Sequence, residues 1–142
     1  MEFIMLIKPY HHHVQYYETD QMGITHHSNY IRWMEEARVD FLNQIGWNFA
    51  RLEASGITSP VIDVQCHYAW PTHFDEQVQI TVTVTKFTGV KLSLAYIMTV
   101  NEQTVCTATS THAFLGQDGQ LIRLKRTHPE FAATLTSLVT TN

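Results

Sequence analysis

Asp20 stands seven residues before His27 in the stretch YYETDQMGITHHSNY, Tyr16 to Tyr30, which runs directly into an amphipathic segment. A carboxylate on a short loop at the mouth of a helix brings together the parts of an acyl-transfer site. Asp20 offers an oxygen that can attack a carbonyl or take a proton from water. The residues before Ser28 lead into a helix N-terminus, where backbone N–H groups lack intrahelical partners and the end carries partial positive charge. A carbonyl oxygen placed there is stabilised as it turns negative, and losing one such donor typically costs ~10²–10³ in rate. Gly23 lets the backbone turn with positive φ or approach a ligand closely. His27 offers its backbone N–H, its ring, or both.

Each residue taken alone also has a plainer reading. Asp20 suits a turn in which its side chain bonds the next amides. His26 and His27 can simply line a helix start, and Glu35 can be a surface residue or a buried one paired with Arg38 three positions on.

The elements that must position these groups follow from periodicity. Tyr10 to Tyr17 reads as a strand, with MEFIMLIKPY as its lead-in and Met5 as an alternative start. After the Glu18–Ser28 loop, apolar residues at Tyr30, Met34, Ala37, Phe41 and Ile45 recur at steps of three and four, which predicts a helix over 29–45. Ser28 or Asn29 can cap its start and Gly46 can close it. A second short helix is expected from Asn48 to Ser55. The period then changes to two: strands are expected over Val61–Tyr68, Val78–Thr85, Leu92–Val100, Thr104–Leu115 and Leu121–Leu124, and Pro129 opens a C-terminal helix to about Val139. Tight turns make the later strands antiparallel. The helix stripe needs a sheet face to pack on, so the fold class is α+β: one long helix against a curved antiparallel sheet.

Composition bounds the function. The chain has 142 residues, which suits a single domain over 1–142, and it needs no disulfide or metal to hold a core. Apolar residues make up 44% and charged residues 15%, a lightly charged surface compatible with burial between subunits. The net charge of −4 carries no nucleic-acid footprint. The N-terminal apolar run lacks a basic start and a cleavage site and is too short to span a membrane. Cys66 and Cys106 sit in strand-like runs without a CxxC partner and read as reduced thiols of a cytoplasmic protein. Of the three adjacent histidines, His11 and His13 share a strand face and His12 points away, so they cannot converge on one ion. His67, His73, His112 and His128 read as surface or interface residues. Trp33, Trp47, Tyr68, Trp70 and Phe74 suit core or subunit packing better than a pocket lining.

The stretch YYETDQMGITHHSNYIRWMEEAR resembles the entry motif of the hotdog-fold thioesterases, in particular the 4-hydroxybenzoyl-CoA thioesterase-like group that includes the Tol-Pal-associated acyl-CoA thioesterases. Tyr17, Glu18, Thr19, Asp20, Gly23, Ile24, His27, Tyr30, Glu35 and Arg38 fill that pattern at its spacing over 22 residues. The resemblance implies a hotdog fold, a long central helix wrapped by five to six antiparallel strands. It implies thioester hydrolysis with Asp20 as nucleophile or general base and the amide of His27 polarising the carbonyl. Gly23, Tyr30 and Glu35 fall at site-supporting positions, and Lys91 near where CoA phosphates are met, with Lys86, Arg123 and Lys125 as further candidates for that contact. It further implies a homo-oligomer, a dimer or a homotetramer, with sites at the subunit interface. The substrate is an acyl-CoA or an acyl carrier protein thioester, and no metal or other cofactor is called for. Competing readings are a non-catalytic acyl-thioester binding module and an enoyl-thioester hydratase, whose shorter Asp-to-His spacing the sequence lacks.

Overall fold

The alternation of Val78, Ile80, Val82 and Val84 with polar partners becomes the inward face of the strand Gln77–Phe87 in the computed structural model, which describes residues 6–140. Among the described residues five strands form one sheet: β1 (Tyr10–His13), β2 (Val61–Tyr68), β3 (Gln77–Phe87), β4 (Lys91–Val100) and β5 (Gln103–Ala113). Their spatial order is β1-β3-β4-β5-β2 and every neighbouring pair is antiparallel. Asn101 (φ 48) and Glu102 (φ 70) make the two-residue turn between β4 and β5, the backbone a tight right-twisted hairpin demands. Register shifts at Val84/Lys86 in β3 and Met98/Thr99 in β4 bend the sheet.

The 17-residue helix α1 (Ser28–Gln44) lies against the inner face. It buries Tyr30, Trp33, Met34, Ala37, Arg38, Phe41 and Leu42, and all but Arg38 share one apolar cluster with Val78, Ile80, Leu94, Tyr96 and Met98. The helical period and the strand period thus meet in one apolar layer. Gly46 (φ 83) ends α1 as expected. Asn48 caps α2 (Phe49–Ala54) by accepting from Arg51 N–H. A short α3 (Leu124–Thr127) and α4 (Pro129–Leu138) close the far end, where Phe131 stacks on Trp47 with ring centroids 4.6 Å apart. No helix among the described residues is long and apolar enough to cross a membrane.

Four local expectations are corrected. The first strand stops at His13, and Tyr16–Glu18 winds into a 3-10 turn, because the Glu18 carboxylate takes the Gln15 N–H and Tyr16 O takes the Thr19 N–H. Neither Ser28 nor Asn29 caps α1; His27 holds the cap position without a side-chain bond, while Ser28 N–H turns to His26 Nδ1. No strand forms over 121–124. Leu121 makes one bridge to Leu115, and Leu124 N–H is drawn instead to Gly89 O at 2.8 Å, which starts α3. His112 is buried in the core rather than at the surface. Of the lead-in MEFIMLIKPY, residues 1–5, including Met5, lie outside the described residues.

Candidate active site

The loop carrying Asp20 is closed by its own backbone. Thr19 bridges Thr25, Asp20 N–H donates to Ile24 O at 2.8 Å, and Gly23 N–H donates back to Asp20 O at 2.9 Å. Gly23 holds φ 78, the conformation its turn requires, and a Cβ there would meet no protein atom within 4 Å. Asp20 Oδ1 accepts Met22 N–H at 2.8 Å. The plain turn reading is therefore correct as far as it goes, and it occupies one carboxylate oxygen only. The chain leaves this loop straight into α1. His27 N–H has no acceptor among the described residues, while His26 N–H and Ser28 N–H are both engaged.

A second segment, the β2–β3 connection, supplies the opposite wall. Thr25 N–H donates to Thr72 O (2.9 Å), Thr72 Oγ1 bonds Thr25 Oγ1 (2.6 Å), and Tyr30 Oη pairs with Thr72 Oγ1 (3.0 Å), all buried. This seam brings Tyr68, Ala69, Trp70 and Pro71 to face Asp20, Met22, Ile24, His27 and Tyr30 around a pocket of about 340 Å³. Tyr30 and Tyr68 meet edge to face at 5.0 Å. Burial raises the Tyr30 phenol above its ordinary range, and burial followed by the neighbouring Cys66 pushes Tyr68 up to about 12, so both rings enter the site as neutral phenols. The pocket thus offers one carboxylate, one unengaged amide at a helix start and an aromatic wall.

The loop's base is held by a buried carboxylate. Glu18, 5% exposed, accepts Gln15 N–H and His12 Nε2 on Oε1 and Trp33 Nε1 on Oε2, each at 2.8 Å. Burial acts to raise its pKa, but those three donors outweigh it and hold the carboxyl below the usual range.

Asp20, His27 and Tyr30 are thus gathered in one pocket, with Gly23 in the loop beneath. Glu35 and Lys91 are not. Glu35 is 46% exposed and salt-bridged to the buried Arg38 at 2.9 Å. Lys91 begins β4 at the opposite end of the sheet. There, Thr88, Gly89, Val90, Arg123, Lys125 and Arg126 line a second pocket of about 600 Å³. Lys86, Lys91, Arg123, Lys125 and Arg126, five of the nine Lys and Arg residues of the chain, are all exposed in these segments. Tyr68 and Trp70 were better suited to packing by sequence, yet both line the pocket. Trp33 and Trp47 are core, as expected, and Phe74 is exposed. A Tyr-Ala-Trp-Pro run closing a strand was the available signal for Tyr68 and Trp70.

The sequence profile described as the Thioesterase-like superfamily matches residues 14–135. A Bacillus subtilis protein, YneP, which carries acyl-CoA thioesterase as a provisional name, is 31% identical over 120 residues, covering 83% of this chain and 87% of its own. The acyl-CoA thioester hydrolase YbgC of Escherichia coli O6:H1 is 27% identical over 79 residues, 56% of this chain and 59% of that one. Among solved structures, the DHNA-CoA thioesterase of Staphylococcus aureus superposes with a TM-score of 0.86 at 27% identity, covering 91% of this chain and 88% of its own.

Proposed function

The chain belongs to the Thioesterase-like superfamily, and on that premise we propose that it hydrolyses acyl-CoA thioesters as a single hotdog domain, with Asp20 and the amide of His27 doing the chemistry. The observation that carries this reading is the pocket itself: a carboxylate with one oxygen free of the turn, facing a helix start whose first amide is unengaged. Thioesters suit so small an apparatus. Sulfur donates little resonance, so the carbonyl is already electrophilic, and thiolate leaves readily. The His27 N–H holds the carbonyl oxygen as it gains charge. Asp20 either attacks the carbonyl carbon and expels CoA thiolate, leaving an anhydride for water to open, or takes a proton from the water that attacks. Tyr30, Tyr68 and Trp70 bound the acyl group. A thiol-release assay over short-chain, long-chain and aromatic acyl-CoAs tests the class. Free CoA supports it, loss of enoyl absorbance without thiol indicates hydration, and binding with neither leaves a binding module.

The basic pocket beside Lys91 is the place for the CoA phosphates. Its charges stand together in a chain of net −4, and two of the lining residues, Arg123 and Arg126, present forked donors suited to phosphate. The double variant Arg123→Glu, Arg126→Glu should raise KM for acyl-CoA about tenfold, the scale of losing charge-assisted contacts, with kcat little changed. An unchanged KM removes the assignment.

The working unit is a homo-oligomer, a dimer or homotetramer, with sites at subunit boundaries. β2 is an edge strand, and Ile62, Tyr68, Trp70 and Phe74 on and beyond it are exposed, as are Met22 across the pocket and Ile31 on α1. A row of unpaired strand edge beside apolar side chains is a surface that soluble proteins cover. Sedimentation equilibrium should return two or four times 16.4 kDa; a monomer at micromolar concentration contradicts this. Unpaired Cys66 and Cys106 fit a reducing, cytoplasmic setting.

A further inference from the structure

The geometry points to Glu18 as a positioning residue that fixes the catalytic loop relative to the helix N-terminus, an inference that rests on the proposed hydrolysis at Asp20. Glu18 works at both ends of itself. Its side chain reaches β1 through His12 and the second turn of α1 through Trp33. Its backbone carbonyl accepts His26 N–H at 2.8 Å and Asn29 Nδ2 at 3.0 Å, on the far side of the Asp20 loop. Two residues after Glu18 comes Asp20, and one residue after His26 comes the His27 amide. The two groups that must converge on one carbonyl are therefore both held to a single residue, and that residue is anchored to the rigid frame rather than to the loop.

His12 completes the anchor. Its Nε2 lies 2.8 Å from Glu18 Oε1 and its Nδ1 lies 3.2 Å from Glu36 Oε1, while its ring packs on Trp33 at 4.6 Å. Glu36 Oε1 also accepts Tyr10 Oη at 2.8 Å. Each ring nitrogen faces a carboxylate oxygen, so the His12 ring links Glu18 to Glu36. Glu18 spends its acceptor capacity on three directed donors. None of these atoms lines the pocket, so the network acts through the loop and not on substrate.

Glu18→Gln keeps the shape of the side chain but turns an amide NH₂ toward donors, so the clamp loosens. In the thiol-release assay the variant should lose about 10- to 100-fold in kcat, the cost of misplacing reacting groups by about an ångström, with KM within twofold of the parent. Amide hydrogen exchange should quicken over residues 19–27 and not in β3–β5. A kcat per folded molecule within twofold of the parent overturns the inference, because a purely structural glutamate would change only the folded fraction. Should the parent itself release no thiol from any acyl-CoA, the hydrolase reading fails, and exchange alone decides: faster exchange confined to 19–27 supports the clamp, unchanged exchange there overturns it. If Glu18→Gln does not fold, Trp33→Phe, which removes one donor to Glu18 Oε2, is read the same way.

Discussion

Asp20→Asn should slow thiol release from a good acyl-CoA by about 100-fold or more, the scale of lost general-base catalysis, while the folded structure persists. The substitution is informative because of what it leaves alone. Asparagine keeps an oxygen to accept Met22 N–H, so the turn that Asp20 Oδ1 makes survives. The Thr19–Thr25 bridge and the Asp20 N–H to Ile24 O bond are backbone contacts and are untouched. What disappears is the negative charge and the basic, nucleophilic second oxygen. The loss should therefore fall on kcat, with KM nearly constant. A purified Asp20→Asn protein that keeps the parental rate would end the assignment of Asp20, whatever else the pocket does.

Acid should destabilise the fold through His112 well before carboxylates are neutralised. This ring is 1% exposed beneath the sheet, with Nε2 on Ser110 Oγ at 2.7 Å. Ser110 Oγ in turn meets Tyr96 Oη at 2.7 Å. Nδ1 has no partner among the described residues, and nothing there welcomes a second proton. Burial first, and then the nearby Arg38 charge, bring its pKa down from 6.5 to about 3. In that window the unfolded chain binds a proton on His112 that the folded chain refuses. Stability is thus full above about 6.5 and is lost as pH falls toward about 3, by about 1.4 kcal/mol per pH unit for this one group. Denaturant unfolding from pH 7.5 to 4, compared with His112→Gln, should show a parental slope steeper by about one proton. Parallel slopes would remove His112 from the account.

These two results test different levels of the molecule, and the levels differ in how readable they were. Asp20, Gly23 and His27 lie within eight residues, and the turn itself is closed by local contacts, Thr19–Thr25 and Gly23 N–H on Asp20 O, while Thr25 and Glu18 tie it to the rest of the fold. Residue types at fixed spacing therefore carried most of that geometry. The strand and helix periods were equally legible, because a face that must be buried repeats at the step of its backbone. The 121–124 stretch was misread for the complementary reason: its alternation is weak, and a single long-range bond from Leu124 N–H to Gly89 O decided its form.

Sequence by itself determined the α+β class, the long helix, the antiparallel hairpins and the turn around Asp20, since each follows from local pattern and turn chemistry. Only the tertiary structure decided that Tyr68 and Trp70 line the pocket, because the Thr25–Thr72 seam that brings them there joins residues 47 apart in the chain. It also decided that Glu35 and Lys91 do not line the Asp20 pocket, that Glu18 is buried and that His112 is core. An acid or a histidine carries the same local signal whether water or a protein donor faces it. Which of the two it meets is set by partners brought in from β1, α1 and β5, and that is a property of packing rather than of spacing.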